Sequence, residues 1–461
     1  MFHKSRLQEM INTTTKKQFS LFDFCKKRAD KIQVFGKETI DEDGKIIPFV
    51  DQAALITHYL QLRNADVKMP YERQAEDILN LWYEFVKGER LHKPKDFEGV
   101  ADSAIGYQTY LFQDLFAAPF QAPKNPKFKF IDLFAGIGGF RMAFQNLGGE
   151  CVFSSEWDEQ AKKTYYANYG DVPFGDITKE STKNKIPKDF DILCAGFPCQ
   201  AFSLAGKRLG FEETRGTLFF DVAEILRRYQ PKAFFLENVK GLVIHDKGRT
   251  FKTILNTLEE VGYVVPDPQI VNAMFFGVPQ HRERIYIVGF RKDLGIKKDD
   301  FSYPEQKEVT KKWIDVREEN PVPAKYYLST TYIETLKRHK ARHEAKGNGF
   351  GYDIIPDDGI AHAIVVGGMG RESNLVIDFR QTDLTPTTRI KGEVNKQGWR
   401  KMTPREWARL QGYPDNFRIV VADASAYKQF GNSVAVPAIQ ATAEQLLKTL
   451  NDKKILKLWE Y

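Results

Sequence analysis

Apolar residues recur along this chain in two rhythms. Five short apolar runs lie between 128 and 290: FKFIDLF (128–134), ECVFSSE (150–156), FDILCAG (190–196), AFFLEN (233–238) and RIYIVGF (284–290). Each has the length and composition of a buried strand. Segments with apolar residues at helical spacing separate them: FRMAFQNL (140–147), EQAKKTYYANY (159–169), FFDVAEILRRY (219–229) and TFKTILNTLEEVG (250–262). Strand and helix alternate, which predicts a parallel, doubly wound α/β sheet. From about 300 to 395 the alternation stops. KGNGFGYDIIPDDG (346–359) and VVGGMGRESN (366–374) are rich in Gly, Asn and charge, and read as a smaller irregular domain with loops suited to a groove. TPREWARLQGY (403–413) and AIQATAEQLLKTL (438–450) return to helical spacing. Ahead of the sheet, DQAALITHYLQL (51–62) and ERQAEDILNLWYEFVKGERL (72–91) predict a separate, mostly helical region, and FQAPKNPK (120–127) reads as a linker. The expected domains are 1–125, 126–300, 301–398 and 399–461.

Composition narrows the class without naming a function. The 461 residues are 42% hydrophobic and 13% aromatic, enough for a large core. The net charge of +7 is compatible with a nucleic-acid partner and equally with an ordinary basic enzyme. Residues 1–37 carry nine Lys or Arg against three acids, a basic arm. The four cysteines, Cys25, Cys151, Cys194 and Cys199, are too few and scattered for a disulfide framework and include no CxxC pair. That points to a reducing compartment and to no metal. The first 17 residues lack a signal-type apolar core, and no stretch approaches the roughly 18 apolar residues of a membrane span. A soluble, cytoplasmic chain is expected.

Chemistry concentrates at the ends of the apolar runs. DLFAGIGGF (132–140) takes a strand through glycines into a helix, a turn that lets backbone approach a ligand. Glu156 follows Gly136 by 20 residues, where a carboxylate suits ribose hydroxyls. Trp157 offers a face for an adenine ring, and Asp176, after a presumed third strand, an acceptor for its amino group. Alone, each has an ordinary explanation as a core or turn residue; together they describe an adenosine pocket. GFPCQAFS (196–203) sits at the carboxyl end of a strand, where such sheets bind ligands. Its Cys199 would be a nucleophile only as thiolate, and taken alone reads more readily as a buried, inert cysteine. Glu237 in FFLENVKG (234–241) ends another strand and can serve as general acid or as a turn cap. QHRER (280–284) places Gln280, Arg282 and Arg284 at alternate positions, on one face of a strand.

This set, in this order, resembles the DNA (cytosine-5)-methyltransferases of bacterial restriction–modification type. The resemblance runs from about Phe128 to Leu447. DLFAGIGGF, SEWD (155–158), GDIT (175–178), GFPCQAFS, GTLFFD (216–221), ENVKG, QHRER, RKMTPREWARLQGYPDNF (400–417) and QFGNSVAVPA (429–438) are similar to its successive motifs. KGNGFGY with LVID (375–378) is similar to the recognition domains of Dcm-like enzymes. The resemblance implies a Rossmann-like methyltransferase domain to which the last segment returns after an inserted target-recognition domain. It implies S-adenosyl-L-methionine as cofactor, leaving as S-adenosyl-L-homocysteine. Phe134, Gly136, Ile137, Gly138, Gly139, Glu156, Trp157, Asp176, Ile177, Pro198, Leu218, Asn432 and Ser433 would form its pocket. Cys199 would attack carbon 6 of a cytosine, Glu237 would protonate ring nitrogen 3, and Arg284 would orient the base with Arg282 and Gln280 in support. Gln200, Ser203, Lys207 and Arg208, with Arg371, Thr387, Arg389 and Lys391 of the inserted domain, would contact the DNA. The implied partner is double-stranded DNA, bound by a monomer away from membranes, beside a cognate restriction endonuclease acting on the same site.

Three rival readings have distinguishing marks. The transfer-RNA branch usually carries a CFT signature, yet no cysteine follows Cys199. An inactive scaffold would not need Cys199, Glu237 and both motif arginines. A nicotinamide dehydrogenase fits neither GxGG nor PCQ.

Overall fold

The computed structural model describes residues 47–63, 65–88, 117–198, 218–349, 351–367, 371–385 and 392–458. Two helices come first, α1 (Phe49–Leu62) and α2 (Glu72–Gly88). There follow β1 (Phe128–Leu133), α3 (Gly139–Asn146), β2 (Gly149–Ser155), α4 (Glu159–Tyr169), β3 (Ile192–Gly196), α5 (Leu218–Tyr229), β4 (Ala233–Val239) and α6 (Arg249–Glu260). Next are β5 (Tyr263–Val264), β6 (Gln269–Asn272), β7 (Gln280–His281) and β8 (Glu283–Arg291). Beyond 300 lie α7 (Thr330–Glu344), β9 (Ala361–His362), β10 (Leu375–Ile377), β11 (Trp399–Lys401), α8 (Pro404–Leu410), α9 (Asp423–Asn432) and α10 (Val436–Asp452).

Local chemistry specifies several of these elements. The Asp158 carboxylate accepts from the Gln160 and Ala161 amides and starts α4, and Gly170 ends it at φ 87°. Thr403 and Glu406 form a reciprocal capping box at the start of α8.

The main sheet has seven strands, in the order β2-β1-β3-β4-β8-β5, with β6 also on β8. β2, β1, β3 and β4 run parallel. β8 runs antiparallel to β4, β5 and β6. The all-parallel expectation is therefore corrected at this edge. The ten residues between β6 and β8 are too few for a crossover and can only return antiparallel. The presumed third strand before Asp176 is also corrected. Only a single bridge, Ser155 to Phe174, occurs there.

Alternate residues of each strand enter two cores. Phe128 and Phe130, Ile192 and Cys194, and Phe235 with Val288 face α3 and α10. Ile131 and Leu133, Leu193 and Ala195, and Leu236 with Ile287 face α5 and α6. Burial on both faces explains why the strands read as near-continuous apolar runs.

The described helices ahead of the sheet, α1 and α2, pack directly on it. Ala53, Ala54, Leu55 and Ile56 of α1 and Ala75 and Ile78 of α2 are at most 2% exposed, and share a core with Ile131, Leu133, Val152 and Phe153. The reason lies in the crossover from α4 to β3. Its one helix is the single turn Glu180–Lys183, which leaves sheet area for α1 and α2 to cover. The segment read as a linker is anchored too. The Phe120 amide donates to Asn168 O at 3.1 Å, and its ring lies 5.9 Å from that of Tyr169.

The inserted region has two small cores, one around Leu328, Ile333, Leu336 and Leu375, the other around Val322, Tyr327 and Val394. Trp313 and Val316 instead join the main core. β11 pairs antiparallel with β10, carrying the small sheet to Lys401. Among the described residues, no helix is long and apolar enough to cross a membrane.

Candidate active site

The carboxyl ends of β1 and β2 form one half of the site. Phe134 leaves β1 at φ 54°, a left-handed conformation costing a non-glycine residue about 1–2 kcal/mol. Gly136 (φ 55°) and Gly138 (φ 80°) continue the turn into α3. The glycines have different tasks. A Cβ on Gly138 would lie 2.2 Å from the Tyr169 ring, and one on Gly139 2.6 Å from Val434 and 3.2 Å from Ser433 Oγ. These two admit protein neighbours. A Cβ on Gly136 would meet nothing within 4 Å, so this backbone faces open space where a ligand can approach.

Glu156 holds that turn. One carboxylate oxygen accepts from the Gly136 amide at 2.8 Å, the other from the Asp158 amide at 2.8 Å. Burial lifts its pKa above the ordinary carboxylate value, and the two amides oppose the shift. Trp157 is 79% exposed, an indole face presented to solvent. Asp176 Oδ1 accepts from the Thr178 amide and hydroxyl at 3.0 and 2.9 Å. Ile137 and Ile177 are buried, Phe134 and Leu218 half-buried, and Pro198 exposed. From the last motif, Ser433 Oγ bonds Tyr413 OH at 2.7 Å, while Asn432 is exposed at the end of α9.

The ends of β3, β4 and β8 form the other half. Glu237, 9% exposed, ion-pairs through Oε1 with Arg284 Nε at 3.1 Å. Burial raises the Glu237 pKa against the lowering effect of Arg284 and Arg282. Strand register creates this arrangement: Gly196 is opposite Glu237 on one side, and Tyr286 on the other. Asn238 Nδ2 donates to Phe197 O at 2.8 Å and so pins the chain just before Cys199. Cys199, Gln200, Ser203, Lys207 and Arg208 lie outside the described residues, as do Thr387, Arg389 and Lys391.

The expected single face of Gln280, Arg282 and Arg284 is corrected. The pleat is interrupted between β7, which pairs with β9, and β8, which pairs with β4. Only Arg284 reaches Glu237. Arg282 is 2% exposed and donates to the carbonyls of Ile364, Gly431 and Ser433 at 2.8, 3.1 and 2.7 Å. Gln280 donates to Leu410 O at 2.9 Å and accepts from the Ile364 amide at 3.0 Å. Both tie the inserted region to the closing segment, Arg282 at Gly431 and Ser433 and Gln280 at Leu410. Arg371 is exposed, its guanidinium 5.3 Å from the Tyr427 ring centre.

Several residues of this architecture escaped the sequence reading. Asn238 had a signal, its place beside Glu237. Gln411, which donates to Phe430 O at 2.8 Å, lies within RKMTPREWARLQGYPDNF; Asn272, which accepts from the Arg282 amide at 3.1 Å, had no signal.

Comparison with known proteins agrees along the chain. The sequence profile described as C-5 cytosine-specific DNA methylase matches residues 128–448. Type II methyltransferase M.HpaII of Haemophilus parainfluenzae is 72% identical over 338 residues, spanning 72% of this chain and 94% of that protein. Type II methyltransferase M.NlaX of Neisseria lactamica is 45% identical over 335 residues, spanning 71% of this chain and 100% of that protein. The crystal structure of the S. pombe Dnmt2 methyltransferase shares the fold at a TM-score of 0.53 and 18% identity, over 70% of this chain and 99% of that one.

Proposed function

Since the chain belongs to the C-5 cytosine-specific DNA methylase family and is a DNA (cytosine-5)-methyltransferase, with S-adenosylmethionine as methyl donor, we propose that Cys199 is its nucleophile and Glu237 its general acid. The observation that carries this is the register of β3 and β4. It puts Gly196, three residues before Cys199, opposite the buried Glu237–Arg284 pair.

The residues at β1 and β2 fit the donor. Gly136 leaves open space at its backbone, Glu156 follows β2 beside it, and Trp157 offers an uncovered ring. In this reading Glu156 takes the ribose hydroxyls, Trp157 the adenine face and Asp176 the adenine amino group. The bound donor supplies an electrophilic methyl group.

Carbon 5 of cytosine is a poor nucleophile until a group adds at carbon 6. The Cys199 thiolate forms that bond. Glu237, whose hold on a proton burial strengthens, delivers a proton to ring nitrogen 3, which leaves an enamine with a nucleophilic carbon 5. Arg284 then balances the Glu237 carboxylate and orients the base. Carbon 5 takes the methyl group; when its proton then leaves to water, the double bond reforms, the cysteine is expelled as thiolate, and ring nitrogen 3 returns its proton to Glu237. A stacked base cannot reach these groups, so the cytosine is flipped from the duplex. Gln200, Ser203, Lys207 and Arg208 close on the DNA, and Arg371, Thr387, Arg389 and Lys391 read or grip it from the inserted region. Arg282 belongs with the supporting framework. The setting is a cytoplasmic restriction–modification pair, in which this monomeric, metal-free enzyme protects sites from a cognate endonuclease.

The test is methyl transfer from labelled S-adenosylmethionine to a plasmid, with bisulfite mapping. Cytosines modified within one short motif are expected. Duplex DNA carrying 5-fluorocytosine at that site should trap a covalent complex with the wild-type chain and none with Cys199→Ser. A trapped complex in Cys199→Ser would remove the nucleophile assignment.

A further inference from the structure

The passage from α4 to β3 runs along the outer edge of β2 as DVPFGD (171–176), without strand structure of its own. It carries Asp176 and also supports Glu156. The Phe174 amide donates to Ser154 O at 2.9 Å, and the Glu156 amide donates to Phe174 O at 2.9 Å. Two backbone bonds are little support for a segment with two pocket carboxylates at stake.

Much of the further support comes from α1 and from Tyr71, just ahead of α2. Thr57 Oγ1 accepts from the Val172 amide at 3.0 Å. His58 Nε2 lies 3.3 Å from Asp171 Oδ2, and its ring centre 4.5 Å from that of Phe174. The Tyr71 ring meets Phe174 edge-on at 5.3 Å, while Phe153 stacks on it at 5.1 Å. Asp51 Oδ1 would lie 3.3 Å from a Cβ on Gly175. The other oxygen of Asp171 pairs with Arg141 of α3, the helix that begins at the glycine turn. Thr57, His58, Tyr71 and Asp51 all lie outside the family match at 128–448.

We propose that this N-terminal helical pair is a positioning element of the donor pocket: Thr57, His58 and Tyr71 fix residues 171–176 and thereby set Glu156 and Asp176. The proposal rests on the reading of Glu156, Trp157 and Asp176 as donor-binding residues. It assigns to this part of the chain a task beyond stability, since a supporting shell decides how accurately a site is held.

The full-length chain tests it. Tyr71→Ala removes the ring, and Thr57→Val removes the acceptor for Val172 at nearly constant volume. Tyr71→Phe removes only a hydroxyl that is buried without a hydrogen-bond partner among the described residues. Affinity for S-adenosylhomocysteine is measured by calorimetry below the melting transition of each variant, and affinity for duplex DNA separately. Tyr71→Ala and Thr57→Val should each weaken S-adenosylhomocysteine binding about fivefold or more, with DNA affinity unchanged and Tyr71→Phe like the wild type. Lower melting temperatures with unchanged S-adenosylhomocysteine affinity would reduce the helical pair to a stabilising layer. Trp157→Ala separates the two levels. If it weakens S-adenosylhomocysteine binding while Tyr71→Ala and Thr57→Val do not, only the positioning role falls. If it too has no effect, the pocket reading falls and the positioning role with it.

Discussion

At the carboxyl end of β4, Glu237 is met by a guanidinium; at the carboxyl end of β2, Glu156 is met by two backbone amides. Both carboxyls are buried, and burial raises both pKa values. Their partners separate them. Backbone amides can only donate, and favour an ionised group that stays in place. A guanidinium also favours the ionised form, and it stabilises the carboxylate that remains once the acid has given up its proton. In the proposed mechanism one half of the site moves a proton and the other holds a shape. The supports differ as well. Glu237, Arg284 and Asn238 lie within the family match, whereas the Glu156 side leans on Thr57, His58 and Tyr71 outside it.

The largest expected effects lie in the proton-moving half. Cys199→Ser should lower methyl transfer by about four orders of magnitude or more while duplex binding persists in a gel-shift assay. Glu237→Gln keeps the shape but removes the proton, and should cost about a hundred- to ten-thousandfold in kcat with little change in the donor KM. A loss confined to KM would place Glu237 among the shape-holding residues and erase the contrast. Arg282→Met tests the framework between the halves. It leaves three carbonyls without their donor and should destabilise the chain by about 2–4 kcal/mol in denaturant titration, with kcat per folded molecule retained. A loss of kcat at unchanged stability would return Arg282 to the chemistry.

In the shape-holding half, Trp157→Ala should weaken S-adenosylhomocysteine binding about five- to a hundredfold without altering DNA affinity. The finest distinction is by pH. The folded-state pKa of Glu237 is raised, so the folded chain holds its proton more tightly than the unfolded one. Its contribution to stability is full below the ordinary value of 4.5 and is lost as pH rises through the raised value. Methyl transfer should fall over the same alkaline limb, and the limb should vanish from the residual activity of Glu237→Gln. An unchanged limb in that variant would assign it to another group.

Much of this was legible in the chain. The five apolar runs became β1, β2, β3, β4 and β8, and EQAKKTYYANY is α4 residue for residue, with its cap at Asp158. α7 escaped because it buries only Ile333 and Leu336, too few for an apolar stripe; the Ser329 cap was its one local mark. QHRER misled because alternation along three residues implies one face only if the strand is continuous, and here it breaks between β7 and β8. The helices ahead of the sheet were found, but their docking was not, because an amphipathic pattern says that a face is buried and not against what.

The sequence by itself determined the order of the five main strands and the helices between them, the two-faced burial of those strands and the residue types at the ends of β1, β2, β3 and β4. These follow from side-chain periodicity, turn chemistry and motif spacing, all of which act over a few neighbouring residues. Only the tertiary structure decided that Arg284 and not Arg282 meets Glu237, that Gly136 and not Gly138 faces open space, and that His58 and Tyr71 close on Phe174. Strand direction, register and packing between segments far apart in the chain set those contacts, and no local pattern encodes them.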